Sequence, residues 1–310
     1  GPGREWLRGL PRREWPRGLP RPQGVIKMDW VQRLNQAMDY LEGHLRGEPD
    51  YREAARLAGC SPYHFQRMFS YLAGMPLSEY LRRRRMALAA EDLLAGEKVL
   101  EVALKYGYDS PTAFNRAFQG VHGLPPSKAK AGVSLRAFPP IRFHVTIKGA
   151  VEMEYRIVKK EAFRVMGLSS PMSHNLEENF RNVPALWARA AEENLIQRLA
   201  PLMDPDMPGL LGISDCGREG EYRYFIAVAT SAPLSPGLEE FVVPACTWAV
   251  FPGSGPMPQA VQELEQRIVT QWLPDSGCEY ANAPDLEVYL SPDPQNASFE
   301  VWLPVLPKGK

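Results

Sequence analysis

"SPYHFQRMF", residues 61–69, is nearly repeated as "SPTAFNRAF" at 110–118, with Ser, Pro, Phe, Arg and Phe in matching places. Those are the positions that begin a helix or face its core. Ser is a good N-cap acceptor, and Pro is preorganised for the first helical position. Further upstream, Glu53, Ala55 and Gly59 precede Glu101, Ala103 and Gly107 by 48 residues, whereas the two serines are 49 apart, so the second turn is one residue longer. Each unit reads as a short helix with a small Ala, a turn at Gly, and a second helix with Phe at i and i+4. This is the layout of a helix-turn-helix, present twice. The small Ala permits a close helix crossing, and the Gly tolerates a left-handed turn.

Helical periodicity extends the pattern in both directions. Val31, Leu34, Met38, Leu41 and Leu45 form one apolar stripe, and helices are predicted at 28–45, 51–58, 62–72, 77–94, 98–106 and 111–121, closed by the turn "GLPPSK" at 123–128. The middle segment "PLSEYLRRRRMALAAEDLLAG" predicts a helix of ~18 residues, hence ~27 Å. Such a rod sets the two second helices about one DNA turn apart, ~34 Å, so that both enter major grooves on one face of a duplex.

The chain has 310 residues, 45% of them hydrophobic and 10% aromatic, enough for two or three domains with a core in each. Its net charge of zero conceals a gradient. Residues 1–27 carry 7 basic and 2 acidic side chains, residues 28–130 carry 14 and 12, and residues 131–310 carry 15 and 22. The acidic end is not the part that meets phosphates. Cys60, Cys216, Cys246 and Cys278 are widely separated, with no half of a zinc site among them and no secretory segment ahead of them, which suits a reducing cytoplasm. No apolar run approaches the ~20 residues of a membrane-spanning helix. No metal and no cofactor are expected.

Residues 1–27 contain "REWLRGLP" and "REWPRGLP", rich in Arg, Pro and Gly. They read as a disordered basic tail. It is either an arm that strengthens phosphate contacts or expression-derived or upstream-translated sequence ahead of a start at Met28.

Residues 28–130 resemble the DNA-binding domain of the AraC/XylS family, most specifically in "AARLAGCSPYHFQRMF", "YLRRRRMALAAEDLL", "VALKYGYDSPTAFNRAF" and "HGLPPSKAK". The resemblance implies that the exposed faces of the two second helices read bases, through Tyr63, Gln66 and Arg67 in the first and Thr112, Asn115 and Arg116 in the second. The chemistry agrees: Arg forks onto guanine, Gln and Asn onto adenine, and Tyr or Thr packs on a thymine methyl. Helical spacing from Phe65, Phe69, Phe114 and Phe118 sets Arg67 and Arg116 off the buried stripe. Arg82 to Arg85 point around most of a helix, so at least two are solvated or paired with Glu79 or Glu91. His64 and His122 are read as packing or capping residues.

After a linker at 131–149, residues 150–305 mix strands and helices in what reads as a second duplication. One unit has strands near 151–158, 162–168, 209–215 and 222–230 around a helix near 176–199. The other has strands at 242–252, 285–290 and 298–304 around a helix at 257–272. The expected fold is multidomain: an all-α tandem helix-turn-helix domain, then an α+β domain of two repeats with an antiparallel sheet and helices on one side. The stretch from "VPACTWAVF" to "EVWLPV" is similar to the second half of a GyrI-like effector-binding domain, with "WLP", "LEVYL" and "EVWLPV" the most telling pieces. That resemblance implies a cleft between the repeats for lipophilic, often cationic molecules.

Strand alternation gives a matching picture, because it sets Glu287 with Tyr289 and Tyr222 with Tyr224. A carboxylate among aromatic rings suits an organic cation. Trp187, Trp248, Trp272 and Trp302 are candidate walls, each with the alternative of ordinary core, and Glu300 competes with Glu287 as counter-charge. The reading is a cytoplasmic, non-enzymatic, ligand-responsive transcriptional regulator whose partners are promoter DNA, a small-molecule effector and RNA polymerase. Activation is favoured by family resemblance alone. One alternative is a GyrI-like hydrolase with Glu287 and Glu300 as paired carboxylates. Another is a protein whose second half binds a protein partner, which a filled-in cleft would favour.

Overall fold

Ser61 and Ser110 do cap helices: Ser61 Oγ accepts from His64 N at 3.2 Å and Ser110 Oγ from Ala113 N at 3.4 Å. These contacts come from a computed structural model that describes residues 27–144, 152–173, 176–216, 221–291 and 293–307. The expected basic tail lies outside the described residues, apart from Lys27. Six helices build the first half: α1 (Lys27–Gly43), α2 (Tyr51–Ala58), α3 (Pro62–Ala73), α4 (Leu77–Leu94), α5 (Val99–Lys105) and α6 (Pro111–His122). Gly59 and Gly107 take φ of 77° and 79° at the two turns, where a side chain would be strained. Ala55 and Ala103 are fully buried where the paired helices cross.

The 18-residue α4 joins two separate cores. One packs Leu34, Met38, Leu41, Phe65, Phe69 and Tyr80, and the other packs Met86, Val102, Tyr106, Phe114 and Phe118. Of the arginine run, Arg82 and Arg83 pair with Glu79. Arg84 is buried and forks onto Glu42 with bonds of 2.7–3.1 Å, while its Nη1 donates to Phe138 O at 2.6 Å. Arg85 donates to the carbonyls of Leu45 and Gly47. The described part of the 131–149 segment is thereby strapped to the first core. Phe138, Ile141 and Phe143 pack on that core, and Asn35 exchanges two 2.9 Å bonds with the Phe143 backbone.

The second half is an antiparallel sheet with helices. Its elements are β1 (Arg156–Lys160), β2 (Phe163–Met172), α7 (Leu176–Glu192), α8 (Leu195–Leu199), β3 (Leu210–Asp215), β4 (Tyr222–Ala229), β5 (Glu239–Val243), β6 (Cys246–Gly255), α9 (Gln259–Arg267), β7 (Cys278–Tyr280), β8 (Asp285–Tyr289) and β9 (Ala297–Pro307). The strand order β1-β6-β9-β8-β3-β4-β2-β5 has two repeats meeting at β8 and β3. Each repeat gives its first strand to the other, because β1 pairs with β6 and β5 with β2. The single strand expected at 242–252 is therefore two: Pro244, which has no N–H for a ladder, falls between β5 and β6.

Candidate functional site

Period-2 alternation decides which side chains reach the helical face of the sheet. On β4, Tyr222, Tyr224, Ile226 and Val228 pack with α7 residues. On β9, Phe299, Val301 and Leu303 pack with α9 residues. Between these clusters, β3 offers Leu210 at its start and then only Gly212 and Ser214, paired in register with Glu287 and Asp285 of β8. Small residues on a central strand leave a groove between α7 and α9, floored by the two carboxylates and filled by α3.

Glu287 is the centre of a compact group. Tyr224 Oη donates to its Oε2 at 3.3 Å and Tyr289 Oη donates to the same oxygen. Trp187 of α7 donates from Nε1 to Tyr224 Oη at 3.3 Å and meets the Tyr289 ring edge-on, with centroids 5.4 Å apart. Burial, and then the negative charge of Glu265, pushes the Glu287 carboxyl up to about 7. Burial beside Glu287 pushes both tyrosine hydroxyls well above their ordinary value, so they remain donors. A β-carbon at position 212 would come within 2.9 Å of Glu287 Oε2 and collide with Tyr224 Oη.

Four of the eight expected ligand residues, Glu287, Tyr289, Trp187 and Tyr224, are thus brought together. Tyr222 lies on the same face but packs against Tyr63, with ring centroids 6.5 Å apart. Trp248 and Trp302 belong to the opposite face, with Leu286 and Val288, and Trp272 packs on Phe251 and Tyr155. For these three the core alternative is the one realised. Glu300 is in register with Val288, hence on the face opposite to Glu287. It is paired with Arg156 at 2.7 Å and accepts from Trp302 Nε1 at 2.9 Å. The two glutamates of the hydrolase alternative therefore do not meet.

The six expected base-reading residues divide by helix. On α6, Thr112 and Arg116 are exposed and Asn115 is half-buried. On α3, Tyr63, Gln66 and Arg67 are buried, with Arg67 only 7% exposed. They do lie off the first helical core, as the spacing predicts, but the second half covers them: α3 packs against α7 and against the turn that continues α9. Arg67 Nη1 stands 3.3 Å from Asp285 Oδ2 and 3.8 Å from Glu265 Oε1. Tyr71 Oη donates to Glu265 Oε2 at 3.1 Å.

His64 stacks on Tyr280, with ring centroids 3.9 Å apart. Its Nε2 lies 3.0 Å from both Asp285 oxygens and its Nδ1 3.0 Å from Ser61 Oγ. A carboxylate only accepts, so Nε2 carries the proton. Burial would raise the Asp285 carboxyl, but His64 and Arg67 hold it below the usual range. Sequence reasoning did not select Glu265, Tyr280 or Asp285. The signals were present: Asp285 shares the alternation of Glu287 and Tyr289, and Glu265 falls on the apolar stripe of Val261, Leu264 and Ile268.

A tandem helix-turn-helix unit followed by a duplicated sheet module with a carboxylate in its cleft defines the class: a DNA-binding regulator with a small-molecule-binding domain. A helix-turn-helix domain model matches residues 54–132, and the GyrI-like small molecule binding domain matches residues 153–306. The chain is 36% identical over 95 residues to the HTH-type transcriptional activator AarP of Providencia stuartii, covering 30% of this chain and 70% of that protein. It is 31% identical over 156 residues to the right origin-binding protein of Escherichia coli K12, covering 49% of this chain and 52% of that one, so it spans about half the length of this relative. A transcription regulation protein of Staphylococcus aureus MU50 superposes with a TM-score of 0.44 at 23% identity, over 50% of this chain and 99% of that one. The chain belongs to the AraC family of helix-turn-helix transcriptional regulators.

Proposed function

We propose that the chain is a cytoplasmic one-component regulator, an activator, in which the C-terminal half senses a lipophilic organic cation and the N-terminal half grips promoter DNA and works with RNA polymerase. The observation that carries the sensor reading is Glu287, a carboxylate enclosed by Tyr224, Tyr289 and Trp187. Ring faces attract positive charge and the carboxylate neutralises it, while the apolar walls favour a ligand with little hydration to lose. DNA reading through Tyr63, Gln66, Arg67, Thr112, Asn115 and Arg116 rests on the two capped helices and on their chemistry toward base edges. The relative AarP, named as a transcriptional activator, supports the direction of regulation.

Calorimetry with tetraphenylphosphonium and the neutral, similarly shaped tetraphenylmethane core carrying a solubilising alcohol tests the sensor. Glu287→Gln is expected to weaken the cation by about tenfold, the equivalent of ~1.4 kcal/mol, and to leave the neutral compound unchanged. Equal loss for both compounds removes the charge from the recognition.

A further inference from the structure

The side of α3 that carries Tyr63, Gln66 and Arg67 is seated in the cleft between α7 and α9. Two buried arginines in this chain show what kind of contact that is. Arg84 is held by a forked carboxylate and a backbone carbonyl, all at 2.6–3.1 Å. This is the geometry of a permanent structural guanidinium. Arg67 is equally buried but differently held. Its Nη1 has carboxylates at 3.3 and 3.8 Å and the Tyr63 hydroxyl at 3.3 Å, and its Nε has no hydrogen-bond partner among the described residues. The neighbouring Tyr280 hydroxyl is likewise buried without a partner among those residues.

Charge therefore retains Arg67, with little fitted hydrogen bonding, and two orphaned donors at one junction each carry an uncompensated desolvation cost. The carboxylates that retain it come from one wall and the floor of the cleft: Glu265 from α9, Asp285 from β8. Asp285 is two residues from Glu287 on the same face of β8. A cation entering beside Glu287 meets the field of all three.

We propose that Glu265 and Asp285 form a cation seat within the effector cleft, next to Glu287, that Arg67 fills it as an internal ligand, and that an organic cation binding beside Glu287 takes its place and frees the base-facing side of α3. The proposal rests on the sensor reading above. It adds that the ligand must be cationic because it competes with a guanidinium, and that one side chain serves the cleft or the DNA but never both.

The test uses the full chain and tetraphenylphosphonium. In the unsubstituted protein, saturation with the cation is expected to speed amide hydrogen exchange across residues 61–73 and to leave 111–122 unchanged. Arg67→Gln is expected to bind the cation about tenfold more tightly, within the usual range of coupling between sites, because the internal competitor is gone. Glu265→Gln with Asp285→Asn is expected to speed exchange at 61–73 without any ligand. Unchanged protection of 61–73 in the saturated chain, or equal affinity of the Arg67→Gln and unsubstituted chains, overturns the competition even if Glu287 still governs binding. No binding of the cation to either chain takes down the sensor reading and the competition together.

Discussion

At the scale of single residues, the behaviour of Glu287 follows from where its proton sits. Its carboxyl is pushed up to about 7 by burial and by Glu265, while Tyr224 and Tyr289 stay protonated and Arg67 and Asp285 stay charged around it. An acid whose folded pKa is raised is neutral below that value. The folded chain gains stability as pH falls from about 7 toward the ordinary carboxylate range, and loses its counter-charge for a ligand over the same window. Tetraphenylphosphonium affinity is therefore expected to rise about tenfold between pH 6 and pH 8, and calorimetry on Glu287→Gln should show a flat profile. Gly212 supplies a steric counterpart. Its missing β-carbon is the space in which Tyr224 and Glu287 meet, so Gly212→Ala is expected to cost about 1–3 kcal/mol of stability in a urea titration and to abolish cation binding.

At the scale of elements, the two second helices share a sequence pattern and differ in surroundings. Gly59 and Gly107, Ser61 and Ser110, and the paired phenylalanines were enough to place α2, α3, α5 and α6 within a residue or two, because caps and apolar stripes are local signals. The burial of α3 was not legible, because periodicity separates a helix's own core face from the rest but does not say what covers the rest. The same limit explains Trp248, Trp272 and Trp302: an aromatic on a strand or helix advertises burial, and only the sheet order says on which face. The β5–β6 break was signalled by Pro244 inside an apparent single strand.

Without effector, Arg116→Ala is expected to lower promoter affinity by about 1–3 kcal/mol while Arg67→Ala does not lower it. With saturating tetraphenylphosphonium both should cost about that much, as read by fluorescence anisotropy on labelled promoter. Separately, Arg84→Met strips Glu42 of its buried partner and loosens the 136–144 strap, at an expected cost of about 3 kcal/mol in urea. Adding Glu42→Gln should recover part of it.

At the scale of the whole molecule, the position of α3 makes DNA and ligand two claimants on one surface, and linkage then fixes what each does to the other. In the form described here α6 faces solvent, whereas α3 lies against the acidic half, so a single major groove is open to the chain. Releasing α3 brings a second set of backbone contacts, beginning at its capped N-terminus. Each phosphate neutralised steepens the dependence of log affinity on log salt by about 0.9. If release adds on the order of three such contacts, saturating tetraphenylphosphonium should steepen the measured salt slope by about 3 and lengthen the protected DNA by about one helical turn. Reciprocity demands the converse, that promoter DNA with both half-sites tightens the cation by the factor by which the cation tightens DNA, and that DNA with one half-site does neither. Titrating each ligand in the presence and absence of the other measures both factors. An unaltered salt slope and an unaltered footprint in the cation-saturated chain would mean that α3 stays in its cleft when the protein is on DNA, leaving α6 as the sole reader.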